Sequence, residues 1–180
     1  MVGYEPTFLR GLEQIHRAHA QRLSRLVGSR LTGSAVVVRE ETGSWLAEYP
    51  VVLRFGAAQV EIKHSRFDDL SLSWDGIDTA APIPHFVFDG FPQLPGDLAG
   101  PAVYKHDPVW RFDDERLAPF EGQRLSEVAL MQWRGDDAAF GMVSVEFVFT
   151  DKRLRIVNGL DENAIELGET TRLHYHRVVV

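Results

Sequence analysis

Apolar and polar positions change period once along this chain. Up to about residue 28 they follow a helix, and beyond it they follow strands. Pro6 suits a first helical turn, where a missing N–H costs nothing. Phe8, Leu12, Ile15, Leu23 and Leu26 then recur at helical spacing, with His19 on the same stripe. Gly28 is a fitting stop. The stripe needs a surface to pack on, most simply a sheet.

Ala35–Val38 is a β-branched run, and Trp45–Phe55 reads as a longer strand bent at Pro50. Gln59–Lys63 alternates, with Val60 and Ile62 on one face; Leu70, Leu72 and Trp74 alternate with Ser71 and Ser73. Strands resume at Val128–Gln132, Val143–Phe149, Leu154–Val157 and Ala164–Leu167, and Arg172–Val180 is β-prone to its end. Between the two series lies 79–119, which holds seven of the nine prolines together with Phe86, Phe88, Phe91, Tyr104, Trp110 and Phe112. A disordered linker would lack those aromatics. The segment reads as an ordered excursion with a strand at His85–Phe88, acting as a binding loop or lid, or as a connector.

A search for repeats adds a second level. Residues 26–74 align with 120–168 without a gap, with Gly28/Gly122, Arg30/Arg124, Leu31/Leu125, Ala35/Ala129, Val51/Val145, Phe55/Phe149 and Ile62/Ile156 identical. After a slip of one residue, Phe67-Asp68-Asp69 falls on Leu160-Asp161-Glu162. These acids read as turn formers, because short acidic side chains bond the local backbone. The expected fold is therefore mainly β (α+β). An N-terminal helix, 1–28, packs on a duplicated antiparallel β module, 29–78 and 120–180, forming a sandwich or a barrel-like sheet. The Pro/aromatic-rich connecting excursion, 79–119, joins the halves, all within a single domain.

Composition narrows the class. The chain has 180 residues, 44% hydrophobic and 25% charged, and can bury a core without staples. It has no cysteine, which excludes disulfides and thiolate chemistry. Met1–Leu12 contains Glu5, Pro6 and Arg10 and is unlike a signal peptide, and no apolar run reaches membrane-spanning length. A cytoplasmic, non-membrane protein is expected. Arginine outnumbers lysine 16 to 3, as in a GC-rich bacterial genome. Net charge is −7, against a nucleic-acid partner; Arg10, Arg17, Arg22, Arg25 and Arg30 read as the solvated face of the helix.

Candidate chemistry is sparse. No G-x-S-x-G elbow and no phosphate-cradling loop occurs. His174 and His176 lie two apart on an expected strand, share a face on that reading, and form the candidate metal pair. A third ligand would come from His64, His85, His106 or an acid. His16 and His19 are neighbours on the helix, with one of them buried and hydrogen-bonded. Trp45, Trp74, Phe88, Trp110 and Trp133 are the candidate lining of a ligand cavity. Asp113, Asp114, Glu115, Asp136 and Asp137 are the candidate partner-binding acids. The leading expectation is a non-enzymatic protein-binding protein of immunity, antitoxin or accessory type, with an acidic surface and no cofactor. The alternative is a small-molecule-binding β-barrel, or a motif-poor enzyme of isomerase or cyclase type, with the Pro-rich segment as lid.

Overall fold

The computed structural model describes residues 4–84, 86–87, 105–168 and 174–180. In chain order the elements are β1 (Leu9–Arg10), α1 (Leu12–Ser24), β2 (Leu31–Arg39), β3 (Val51–Phe55), β4 (Ala58–Ser65), β5 (Asp69–Trp74), β6 (Phe86–Val87), β7 (Lys105–His106), β8 (Pro108–Arg111), β9 (Leu125–Trp133), β10 (Val143–Phe149), β11 (Arg153–Asn158), β12 (Asn163–Leu167) and β13 (Tyr175–Val179). One antiparallel sheet runs β1-β5-β4-β3-β2-β8, a second runs β12-β11-β10-β9-β13, and β6 pairs with β7.

Alternation along each strand puts one apolar face of each sheet toward the other. Val36, Val38, Val51, Leu53, Phe55, Val60, Ile62, Leu70 and Leu72 of the first meet Leu125, Val128, Leu130, Val143, Val145, Phe147, Phe149, Leu154 and Ile156 of the second. Phe55 stacks on Phe147 with ring centroids 5.7 Å apart. Ile15, Leu23 and Leu26 join the same core from the helical segment, and α1 rests against β9. Among the described residues the chain is mostly β with one α-helix, and the two sheets form a sandwich whose interior is filled by side chains.

The sheets share more than strand order. Val51 pairs with Ile62 and Val145 with Ile156; Ala35 pairs with Val52 and Ala129 with Glu146. Each second strand also shifts register near its start, between Leu31 and Gly33 in one sheet and opposite Val148/Phe149 in the other. The strands β2 and β9 begin side by side at the Arg30–Arg124 bridge.

Three details differ from the sequence reading. The helix starts at Leu12, because Leu9 and Arg10 pair with Leu70 and Asp69, the Arg10 guanidinium bonds the Asp69 carboxylate at 2.5 Å, and Gly11 turns the chain at φ 72°. The strand expected over Trp45–Phe55 is interrupted: Trp45 makes only an isolated bridge with Val38, and regular pairing starts after Pro50, which has no N–H to give. The sixth strand of the first sheet, paired with β2, is Pro108–Arg111, lying on an edge where proline is tolerated. Of His85–Phe88, only Phe86–Val87 is within the described residues, and it pairs with β7 instead.

The outer face of the first sheet is covered. Ile77 packs on Ala35 and Val52 with Tyr4 and Trp110, and Ile83 packs on Val37 and Leu46. This cover seals a carboxylate. Glu61 is 0% exposed. Its Oε1 accepts from Gln59 Nε2 at 2.8 Å and from the backbone N–H groups of Gly76 and Ile77 at 2.9 and 3.3 Å. Its Oε2 is buried without a hydrogen-bond partner among the described residues, and the hydroxyls of Tyr4, Ser71 and Ser73 are buried as well. Burial pushes the Tyr4 hydroxyl up to about 12, so it stays a protonated donor. Removing the Glu61 acceptor would strand two backbone donors. Glu61→Ala is expected to lower unfolding free energy by about 2–4 kcal/mol in urea titrations, and a loss below about 0.5 kcal/mol would contradict this account.

Candidate functional site

Charge occupies the outer face of the second sheet. Glu127 on β9, Glu146 on β10, Arg153 and Arg155 on β11, Glu166 on β12 and Arg177 on β13 form a network across it. Arg177 bridges Glu127 and Glu146, Arg153 reaches Glu146 at 3.2 Å, and Arg155 reaches Glu166 at 3.0 Å. Three cations and three anions cancel. Glu146 and Arg155 are almost wholly buried, at 2% and 4% exposed, so neither would tolerate loss of its partner.

Where β9 ends and β10 and β13 begin, this face opens into a cleft of about 190 Å³. Its lining includes Trp133, Tyr175, Asp137, Glu166, Ser144 and Asn158. Trp133 and Tyr175 meet edge to face, centroids 4.9 Å apart at 71°. Burial, and next to it the Glu166 charge, raises the Tyr175 hydroxyl above its ordinary value.

Asn158 links the cleft to two hairpin tips. Its Nδ2 donates to the Arg66 carbonyl in the β4–β5 turn, and its Oδ1 accepts from Asp161 N–H at 3.0 Å in the β11–β12 turn. The second turn is closed by Gly159 N–H donating to Glu162 O at 2.8 Å, with Leu160 and Asp161 at φ 71° and 74°. Two successive positive φ values are what a two-residue hairpin turn requires, and Asn or Gly normally fills them. Here Leu160 fills the first and stands 73% exposed, while Phe67 on the neighbouring tip is 48% exposed. Holding leucine in the left-handed region costs about 1–2 kcal/mol. Asp161 and Glu162 are exposed beside them, and Asp68 is half-buried.

The tips are held in place from beneath. Asn163 Oδ1 accepts from His64 N–H at 2.9 Å and faces His64 Nδ1 at 3.0 Å; Asn163 Nδ2 donates to Tyr49 O at 2.8 Å and Ile62 O at 3.3 Å. His64 Nε2 faces Val143 O at 3.2 Å. Both residues are buried, so one side chain pair ties β4, β12, β10 and the loop before β3 together. Burial lowers the His64 pKa, while the acceptors Asn163 and Val143 push the other way without overcoming it.

The residues singled out from sequence are dispersed. Asp113 and Glu115 are exposed, but Asp114 is buried, bonds the Arg116 backbone N–H and pairs with its guanidinium at 2.7 Å. Burial alone would raise the Asp114 pKa, and Arg116 overrides it and holds the carboxyl below its ordinary value. Asp136 is exposed, and Asp137 accepts from Trp133 Nε1 at 2.8 Å and Ala139 N–H at 2.9 Å. Trp45 lies under the Arg116 guanidinium, 4.1 Å from its ring centroid, in a second cleft with Asp113 and Glu115. Trp74 packs at the core edge and donates to His19 Nδ1 at 3.4 Å, so His19 is the half-buried, bonded member of the helical pair. Trp110 lies on the covered face of the first sheet, and Phe88 lies outside the described residues.

The tryptophans thus stand in four different surroundings. His174 precedes β13 and packs against Trp133, centroids 5.3 Å apart. His176 lines another cleft with His16 and Arg134. His174 O still accepts from Arg134 N–H at 2.6 Å, just before the regular pairing that begins at Tyr175. Among the described residues no group of three His, Cys, Asp or Glu side chains is placed to hold a metal ion, and no helix is long and apolar enough to cross a membrane. His85 lies outside the described residues.

Comparison with protein-family models, curated proteins and solved structures finds no match for this chain.

Leu160, Phe67, Tyr175, Glu166 and Asn163 were not singled out from sequence. The available signal was Asn158-Gly159 followed by Leu-Asp, a hairpin whose central residues lack the usual Asn or Gly. Asn163→Ala would leave the His64 N–H without its acceptor and two carbonyls without their donor, and is expected to cost about 2–4 kcal/mol in urea unfolding. Because the folded His64 pKa lies below its unfolded value, the protein should lose stability as pH falls through the ordinary histidine range. His64→Gln should flatten the pH dependence of unfolding between pH 7.5 and 5.5, and an unchanged slope would refute the assignment.

Proposed function

We propose that this is a non-enzymatic protein-binding protein, and that the paired hairpin tips carrying Phe67 and Leu160 are its docking surface. The observation that supports this most is Leu160. A leucine held on left-handed backbone and exposed to water contributes nothing to the core and is strained where it sits. Backbone strain that a glycine would relieve points to a use for the side chain. Phe67 adds a second exposed apolar side chain, Asp161 and Glu162 stand exposed beside Leu160 while Asp68 pairs with Arg10 at 3.6 Å, and the His64–Asn163 pair fixes the two tips relative to each other. Rigid apolar anchors inside a polar rim are the usual anatomy of a binding surface.

The acids Asp113, Glu115 and Asp136 remain available to steer a basic partner, whereas Asp114 and Asp137 are engaged internally. The small-molecule alternative draws less support, because the space between the sheets is packed with side chains and the tryptophans do not converge. Immunity, antitoxin and accessory roles all remain within the protein-binding reading.

Strain and binding should separate in one variant. Leu160→Gly is expected to keep the fold and hold or raise stability by up to about 1 kcal/mol. It should weaken capture of the partner at least about tenfold, as should Phe67→Ser. A photo-crosslinker at position 160 in the native host, read by mass spectrometry, should give one dominant protein adduct. Diffuse labelling, or capture unchanged in both variants, would refute the reading.

A further inference from the structure

The cleft beside the tips has a chemistry of its own. Trp133 and Tyr175 stand edge to face as two aromatic walls, and Glu166 and Asp137 are exposed carboxylates in the same lining. Its volume of about 190 Å³ suits one long side chain and is too small for a folded element. The charge balance also has a sign. Arg153, Arg155 and Arg177 are matched by Glu127, Glu146 and Glu166 across the sheet, while Asp137 accepts the Trp133 indole N–H but has no cationic partner among the described residues. Arg155 sits behind the wall, its guanidinium 5.9 Å from the Tyr175 ring centroid and bound to Glu166.

Aromatic faces flanked by carboxylates attract a cation and have no special affinity for a neutral side chain. The cleft is also continuous with the docking surface, because Asn158 lines one and bonds the turns of the other.

We propose that this cleft seats a lysine or arginine side chain of the protein that docks on the hairpin tips, an inference that rests on the protein-binding reading. The tips supply apolar contact, and the cleft supplies selection for a basic residue at a fixed distance from it. A partner with a neutral residue at that place would cover the Asp137 carboxylate without bringing it a cation, which is how a charged site disfavours the wrong occupant.

The test uses the full chain labelled with ¹⁵N and three probes: Nα-acetyl-arginine amide, Nα-acetyl-lysine amide and Nα-acetyl-citrulline amide. The Trp133 indole N–H resonance reports the cleft. Arginine and lysine probes should shift it saturably, and citrulline, the neutral shape match of arginine, should not. Asp137→Asn, which keeps an acceptor for the Trp133 indole, and Tyr175→Leu should each weaken the cationic probes by about five- to tenfold, with thermal unfolding confirming the fold. Citrulline acting as well as arginine, or a silent Trp133 with every probe, would overturn the proposal. Probe binding that persists while Leu160→Gly leaves partner capture intact would sink the tip assignment and leave the cleft as a cation site. Partner capture that depends on Leu160 with no response to the probes would sink the cleft alone.

Discussion

Four backbone hydrogen bonds between the beginnings of β2 and β9 decide how the two sheets meet. Gly28 N–H donates to Leu125 O and Gly122 N–H to Leu31 O, each at 2.8 Å; Leu125 N–H donates to Ser29 O at 2.8 Å and Leu31 N–H to Gln123 O at 3.0 Å. The pattern is reciprocal, so each strand start satisfies the other and the strands then diverge into separate sheets. Gly28 and Gly122 make this possible at φ 88° and 77°, where a side chain would be strained. Once the strands are joined there, the apolar faces have only each other to meet. A sheet with one exposed apolar face cannot persist alone, so the sandwich follows from the junction.

The far side of the sandwich needs a second tie, and it is polar. His64 and Asn163 meet across the sheets where β4 ends and β12 begins, next to the two turns that project Phe67 and Leu160. A buried amide with every polar atom partnered has one low-energy orientation. It therefore fixes position as well as adding stability, which an apolar contact at the same place would do less sharply. Rigidity of this kind matters for binding, because side chains held in place lose less entropy when a partner arrives. The strained turn lies between Asn158 and Asn163, whose side chains both bond neighbouring backbone, so its cost of about 1–2 kcal/mol is carried by a well-bonded frame.

Much of the fold was legible because side chains alternate between the two faces of a strand, even where both faces are covered. Leu70, Leu72 and Trp74 read as one face, and Val143–Phe149 matched its strand to the residue. What escaped was decided by partners remote in sequence. The helix lost its first turn to the Arg10–Asp69 pair, and a proline-led run, Pro108–Arg111, became an edge strand because β2 offered it a ladder. The acids show the same limit. Asp113 and Asp114 are indistinguishable in sequence, yet one faces water and the other is buried against Arg116. His174 and His176 look equivalent in sequence, yet His174 packs against Trp133 and His176 lines a cleft with His16 and Arg134. Leu160 escaped for the opposite reason. Hydrophobicity suggests burial, and only the hairpin geometry shows that this leucine cannot reach a core.

Net charge of −7 turns out to be a poor guide to where a partner would sit. Asp69, Asp114, Glu127, Glu146 and Glu166 are all paired with arginines, so much of the acidity is spent inside the molecule. A field summed over such pairs falls off quickly, since each anion has its cation within a few ångströms and the solution screens the remainder over about 10 Å. Acids with no arginine or lysine partner among the described residues count for more. Asp161 and Glu162 at the tips and Asp137 at the cleft lie along one stretch of surface, joined through Asn158, and beside the exposed Phe67 and Leu160. Local imbalance and exposed apolar area coincide there, and neither follows from the total charge. A recognition surface on this fold is thus better sought where the ion-pair network stops than where acidic residues are most numerous.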